Sequence, residues 1–217
     1  MIGQQWGLKS NGFFKDQAEI DAYPKYEGTQ PRPGDLKFID VNNDNKIDDK
    51  DMVPIGYSDV PKYTWGTALS VTYKWFDISA LFQGSFKVSA IVDGTGPWEW
   101  YDFRKFHQKA WTKERAETGQ EILFPALATQ QSASEVRNND FFIMDRSFVR
   151  LKNLEIGFTF PRAWSKVINA KKIRIYANGF NLITWDKMRF DDWDPEVLKN
   201  TTYPVLKVIN IGANITF

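Results

Sequence analysis

Hydrophobic and polar positions alternate with a period of two along much of this chain, in runs of about ten to fourteen residues bounded by turn-forming residues. That period puts successive side chains on opposite faces of a strand, and that length suits a tilted bilayer-spanning strand better than an average soluble one. In the run from Phe76 to Phe86, Phe76, Ile78, Ala80, Phe82 and Phe86 share one face, while Asp77, Ser79, Gln83 and Ser85 fall mostly on the other. Just upstream, Trp65, Thr67, Leu69, Val71 and Tyr73 alternate with Thr64, Gly66, Ala68, Ser70 and Thr72. Only Lys74-Trp75 separates the two runs, which predicts a hairpin with a tight turn.

Three further strands follow. Phe148 to Phe160 ends in clean alternation and stops at Pro161, but its upper half has Arg150 and Lys152 in the apolar phase, which predicts a bulge or snorkelling cations. Ile173 to Trp185 begins Ile173, Ile175, Ala177 and reads as changing phase around Gly179. Leu206 to Phe217 sets Ile209, Ile211, Ala213, Ile215 and Phe217 against Asn210, Gly212, Asn214 and Thr216. Short turns at Lys74-Trp75 and at Arg162 to Lys171 alternate with long segments before Tyr63, from about Lys87 to Asp145, and from Asp186 to Pro204. Outer-membrane barrels carry short turns on the periplasmic side and long loops outside, and parity counted from a periplasmic C-terminus puts every long segment outside. The expected fold is therefore all-β: C-terminal antiparallel strands of a large transmembrane β-barrel, with long extracellular loops containing short helices. Helical turns are expected at Asp16 to Ala22 and Tyr101 to Thr112. Residues 1–62 form an extracellular loop region and residues 63–217 the strands and their loops. Five strands are too few to close a barrel, so the others are expected before residue 1.

Composition adds to this picture at three points. An aromatic share of 16%, from 17 Phe, 9 Trp and 8 Tyr, matches the interfacial girdles of membrane barrels, although a glycan-binding β-sandwich is aromatic-rich too. A net charge of +1 with both signs mixed along the chain gives no basic stripe, so nucleic acid is not an expected partner. The absence of Cys removes disulfides, thiolate metal sites and Cys nucleophiles. No run of about 18 apolar residues is present, so no helix here spans a bilayer. Met1 to Trp6 has no basic segment followed by an apolar one, so an export signal is expected upstream, with Met1 an imposed or truncated start.

One motif points to a metal. Asp40, Asn42, Asp44, Lys46, Asp48 and Asp51 stand at positions 1, 3, 5, 7, 9 and 12 of a calcium-loop pattern, with Lys46 contributing its carbonyl. Asn45 replaces the usual glycine at position six and Asp51 the usual Glu at position twelve. A self-capped Asn/Asp-rich turn is the competing reading. A bound calcium would stiffen an external loop. No catalytic set is expected: His107 reads as an exposed helical residue, and Asp191, Asp192 and Asp194 as solvated loop acids. Trp98, Trp100 and Tyr101 either contact a sugar or protein partner or anchor the loop base at the membrane interface. The last eight residues fit an outer-membrane assembly signal, with Asn210, Gly212, Ile215 and the terminal Phe217 at its defining positions.

Taken together these stretches resemble the SusC/RagA-like TonB-dependent transporters of Bacteroidetes outer membranes. The matching pieces are Gly12-Phe13-Phe14 with Glu19-Ile20, then Pro33-Gly34-Asp35-Leu36-Lys37-Phe38 leading into the Asp40 to Asp51 loop, and Ile55-Gly56. Phe76-Asp77-Ile78-Ser79, Phe82-Gln83-Gly84, Phe148 to Leu154 and Gly157 to Pro161 follow. Ile175 to Gly179, Asn181-Leu182, Trp185-Asp186, Asp194-Pro195-Glu196 and Tyr203-Pro204 complete the set. The resemblance implies a barrel of about 22 strands with a plugged lumen, energised by the TonB complex and capped by a SusD-like surface lipoprotein. It also implies location in the outer membrane, among its lipids, and import of an oligosaccharide or peptide. The plug and the TonB-contacting segment are not in this chain. A secreted, calcium-stabilised β-sandwich that binds glycans is the alternative.

Overall fold

The computed structural model describes residues 3–91, 103–129, 132–190, 193–197 and 205–217. Its five long strands are β1 (Tyr63–Tyr73), β2 (Phe76–Phe86), β3 (Phe148–Thr159), β4 (Lys172–Asp186) and β5 (Val208–Thr216). They pair antiparallel in the order β5-β4-β3-β2-β1, so every strand neighbours its successor in the chain. The ends agree with the hydrophobic pattern to within two residues. The hairpin between β1 and β2 turns on Lys74-Trp75, where Lys74 takes a left-handed backbone at φ 53°.

Residues opposed across neighbouring strands share a face. One face carries the rows Tyr73–Phe76–Phe158–Ile175–Ala213, Val71–Ile78–Ile156–Ala177–Ile211 and Leu69–Ala80–Leu154–Gly179–Ile209. The other carries Thr72–Asp77–Gly157–Tyr176–Gly212 and Ser70–Ser79–Glu155–Asn178–Asn210. The apolar rows are exposed, Ile211 at 85% and Val71 at 61%. A β-sandwich would bury such a face against a second sheet.

The expected irregularity in β3 is a bulge at Lys152. Leu151 pairs with Phe82 and Asn153 with Leu81, so β3 has one residue more than β2 there. A one-residue offset flips every side chain beyond it. Leu151 and Val149 therefore join the apolar face, in rows with Phe82 and Ile183 and with Gly84 and Trp185, and Arg150 moves to the polar face beside Gln83 and Thr184. The phase change expected in β4 is not found. Ile173, Ile175, Ala177 and Gly179 before the irregularity, and Ile183 and Trp185 after it, lie in the same apolar rows. The left-handed residue in β4 is Asn181, at φ 53°, and the extra residue opposite Lys152 is absorbed there.

The hydrophobic core lies in the loops. Leu8, Phe14, Ile20, Tyr26, Leu36, Phe38 and Ile47 from the first segment pack with Phe106, Phe124, Phe142, Met144 and Phe190 from the later loops. The Tyr26 hydroxyl donates to Leu36 O and accepts from Phe38 N, both at 2.8 Å, and so satisfies polar groups inside this core. The short helix Gln17–Asp21 forms where expected, with Asp16 capping Glu19 N at 2.9 Å. The helix expected from Tyr101 to Thr112 is broken: Lys105–Lys109 is a 3-10 turn and Ala110 is extended. Trp111 N donates to Phe124 O and Leu123 N to Lys109 O, so the backbone there pairs sideways instead of along a helix axis. A separate helix begins at Lys113, capped by Thr112.

Candidate functional site

Side-chain oxygens hold the Asp40 to Asp51 loop by capping its own backbone. Asp40 accepts from Asp44 N at 3.3 Å and from Asn45 N at 2.8 Å. Asn42 Oδ1 accepts from Asp44 N at 2.9 Å, Asp44 Oδ1 from Lys46 N at 3.0 Å, and Asp48 Oδ1 from Lys50 N at 2.7 Å. Asp51 is fully buried and accepts from Val41 N at 2.8 Å and Asp48 N at 3.0 Å. Asn45 adopts φ 62°, the left-handed backbone that a glycine at position six would supply, and Asn is among the few residues that enter this region at modest cost. Ile47 is fully buried in the loop core.

The donor set is chemically suited to calcium, being oxygen only. In the parallel pairing of Lys46–Ile47 with Lys25–Tyr26, Asn45 O and Ile47 O accept from Lys25 N and Glu27 N. Carbonyls alternate along a strand, so Lys46 O is directed away from that pairing. Among the described residues no three His, Cys, Asp or Glu side chains are gathered as a metal-holding group. The loop as built is stabilised by its backbone caps.

The polar face of the sheet holds a second cluster, one that pattern reading did not single out. Arg174 on β4 pairs with Asp77 on β2 and, at 2.7 Å, with Glu155 on β3, so that one guanidinium ties three strands together. Asn178 Nδ2 donates to Glu155 at 3.4 Å, and Asn210 Nδ2 donates to Asn178 at 3.0 Å, extending the network to β5. Gly157 sits beneath the ion pair, and a Cβ there would lie 2.3 Å from Arg174 Nη2. Gly212, a position of the C-terminal signal, sits beneath the Tyr176 ring, where a Cβ would lie 2.5 Å from Cζ. The sequence clue was present in Asp77, Glu155 and Arg174 each falling in the polar phase of its own strand, but strand register was needed to bring them together.

Nearer the loops, Arg150 is 1% exposed and clamps the segment after β4. Its Nη2 donates to both Asp194 oxygens, at 2.8 and 2.7 Å, its Nη1 to Glu196, and its Nε to Thr184 at 2.9 Å. Lys152 Nζ adds a bond to Glu196 at 2.9 Å, and Arg146 donates to Pro195 O at 2.7 Å. Asp194 is thus not the solvated loop acid expected. The bulge that flips Arg150 onto this face gives the acid a partner. His107 also departs from expectation: it is buried, accepts from Arg104 N at 2.9 Å through Nδ1, and packs 4.2 Å from Phe106 and edge-on to Phe124. An aromatic nest around the 3-10 turn replaces the solvated helix face.

Of the remaining candidates, Trp98, Trp100, Tyr101, Asp191 and Asp192 lie outside the described residues. Asn210, Gly212 and Ile215 lie on β5, paired with Asn178, Tyr176 and Ile173, and Phe217 follows it, 70% exposed. The strand's end is fastened by Lys171 N to Thr216 O at 2.7 Å and Lys171 Nζ to Phe217 O at 2.8 Å.

A two-faced meander with its core in the loops at one end has close structural counterparts. The chain superposes on the RagAB peptide transporter with a TM-score of 0.69 at 20% identity, covering 99% of this chain and 22% of that one. The RagAB peptide importer in its "open-open" state gives 0.67 at 20% identity, with the same coverage of both chains. The chain shares the fold of the matching part of these structures across 99% of its length. Two proteins of Formosa agariphila are similar in sequence: TonB-dependent receptor P26, 27% identical over 97% of this chain, and TonB-dependent receptor P3, 24% identical over 100%. The chain spans 22% of the length of each. No family model matches it. These relatives are receptors and transporters rather than enzymes.

Proposed function

We propose that this segment supplies the last strands and outer loops of a TonB-dependent nutrient importer in a bacterial outer membrane. The observation that carries the reading is the two-faced sheet. One side is exposed and apolar from Tyr73 to Ile211, and the other is cross-linked through Arg174 and Arg150. In lipid the first side meets hydrocarbon, and ion pairs on the second face a lumen from which lipid is excluded. The cargo is an oligosaccharide or peptide, delivered with a SusD-like surface lipoprotein and driven by the TonB complex through parts of the protein outside this segment. The likeness to the RagAB peptide transporter supports this arrangement.

In the same reading the Asp40 to Asp51 loop takes a calcium ion, with Asp40, Asn42, Asp44, Asp48, Asp51 and the Lys46 carbonyl as ligands. Their spacing supports this role. Trp98, Trp100 and Tyr101 serve as a contact for cargo or partner, and Asn210, Gly212, Ile215 and Phe217 act as the assembly signal.

The test uses the full-length protein in its own membrane. Uptake of a labelled oligosaccharide mixture and a labelled peptide mixture is compared with and without TonB. TonB-dependent uptake of one class supports the reading, and uptake of neither in a strain that assembles the protein overturns it.

A further inference from the structure

The turn between β3 and β4 has its polarity inverted. It comprises the helix Arg162–Ser165 and the 3-10 turn Lys166–Ile168, closed by Asn169 in a left-handed conformation at φ 56°. Ser165 and Ala170 are buried, and Ala170 N donates to Ser165 O at 3.0 Å. Trp164, Val167 and Ile168 point outward, Val167 at 83% and Trp164 at 61% exposure. A turn made for water would reverse that choice, because each large apolar side chain left in water forgoes about 1.5–3 kcal/mol of burial. The turn is also one-signed in charge: from Phe160 to Lys172 it carries Arg162, Lys166, Lys171 and Lys172 and no acidic residue.

The same end of the sheet continues this composition. Trp75 O accepts from Thr159 N at 2.7 Å, which places the β1–β2 turn, with exposed Lys74 and Trp75, beside the end of β3. On the other side Lys171 holds the exposed Phe217. Asp77 and Glu155, the acids toward this end of the polar face, are taken up by Arg174. The rim is thus aromatic and aliphatic outward with basic residues interleaved, and it is continuous with the apolar rows of the sheet.

We propose that this rim, centred on Arg162, Trp164, Lys166 and Val167, is a binding site for anionic phospholipid headgroups. Trp164, Val167 and Ile168 enter the acyl boundary and the cations meet the phosphates. The proposal rests on the barrel reading above and goes beyond it by assigning headgroup selectivity to one turn.

The experiment compares phosphatidylglycerol with phosphatidylcholine as probes for the full-length protein. Insertion into vesicles of each lipid is read by protease protection, and lipid retained after detergent extraction is counted by native mass spectrometry. The expected result is insertion into both, with phosphatidylglycerol retained preferentially. Arg162→Gln and Lys166→Gln together should reduce that preference, by up to about fivefold per charge, which corresponds to ~1 kcal/mol for each basic residue near an anionic surface. The charge-preserving set Arg162→Lys and Lys166→Arg should retain it and guards against misreading a folding defect. Insertion with equal retention of the two lipids, or a glutamine set as selective as the parent, overturns the proposal and leaves the barrel reading standing. Failure to insert into either lipid overturns both.

Discussion

Buried polar side chains in this protein are placed where a backbone or a charge would otherwise be stranded. Asp51 is the clearest case, with both oxygens accepting from N–H groups of its own loop while fully buried. Asp51→Ala leaves Val41 N and Asp48 N without an acceptor, and an unsatisfied buried donor costs about 1–3 kcal/mol. Thermal unfolding of the loop region in the full-length protein should fall accordingly, and an unchanged midpoint would refute the capping role. If calcium binds here, millimolar calcium should raise the parent's midpoint and leave that of Asp44→Ala unmoved. Arg150 is the corresponding cation. Arg150→Met takes the guanidinium away from Asp194 and leaves Glu196 with Lys152 alone, and breaking a buried pair of this kind costs about 3–5 kcal/mol. The segment around Asp194 should then become protease-sensitive while the strands stay paired. Equal resistance in parent and variant would show that the clamp is dispensable.

At the scale of elements, β1, β2 and β5 were legible almost residue by residue, because alternation in a two-faced strand leaves one register that keeps every apolar side chain together. In β3 the pattern betrayed that something was irregular but not its consequence. Only the pairing of Leu151 with Phe82 and Asn153 with Leu81 reveals that the extra residue is Lys152 and that Arg150 has changed sides. Deleting Lys152 removes the extra residue, so regular alternation should keep Leu151 on the apolar face and Arg150 on the polar face, and outer-membrane assembly should persist, as it should with Lys152→Ala; loss of assembly on the deletion, with Lys152→Ala tolerated, would remove the bulge argument. The loops were less legible. His107 and Asp194 owe their surroundings to segments distant in sequence, Phe124 in one case and the Lys152 bulge in the other, and no local pattern encodes such contacts. The calcium-type spacing was visible at once, and the structure adds that the same oxygens already cap the loop.

The loop element also carries a pH dependence. Burial pushes the Glu135 carboxyl up from 4.5 to about 7, against the opposing hydrogen bonds from Ser132, and burial raises Asp35 as well. A carboxyl raised in the folded state binds its proton more tightly folded than unfolded, so its contribution is fully present below pH 4.5 and is lost as pH rises towards about 7. The loop core should therefore be less stable at pH 8 than at pH 5, by roughly 1–3 kcal/mol. Glu135→Gln should flatten that slope. A parent midpoint that rises over the same interval would contradict the assignment.

For the whole molecule, the last strand bears most directly on how the proposed barrel would be assembled. Among the described residues β5 is paired on one side only, with β4, and its outward residues Ile209, Ile211 and Ile215 lead to an exposed Phe217. In a closed barrel its free edge must pair with another strand, because each unpaired backbone group in hydrocarbon costs several kcal/mol. On the proposed barrel reading, Phe217 at the short-turn end sits at headgroup level, beside the basic rim around Arg162 and Lys171, while the isoleucines continue its face into the hydrocarbon. Gly212 contributes differently, by leaving room for the Tyr176 ring that covers β5 from the polar side. Two changes separate these roles. Phe217→Ser removes the interfacial ring without touching the strand's pairing, and should lower the amount of full-length protein in the outer membrane without altering its synthesis. Ile211→Lys puts a charge near the middle of the lipid face, where it costs about 2–4 kcal/mol, and should lower the amount further, whereas Asn210→Lys on the polar face should not. Parental levels with Phe217→Ser in a strain with normal periplasmic proteases would reduce the C-terminal pattern to an ordinary strand. Equal tolerance of lysine at Ile211 and Asn210 would remove the distinction between the two faces on which the barrel reading depends.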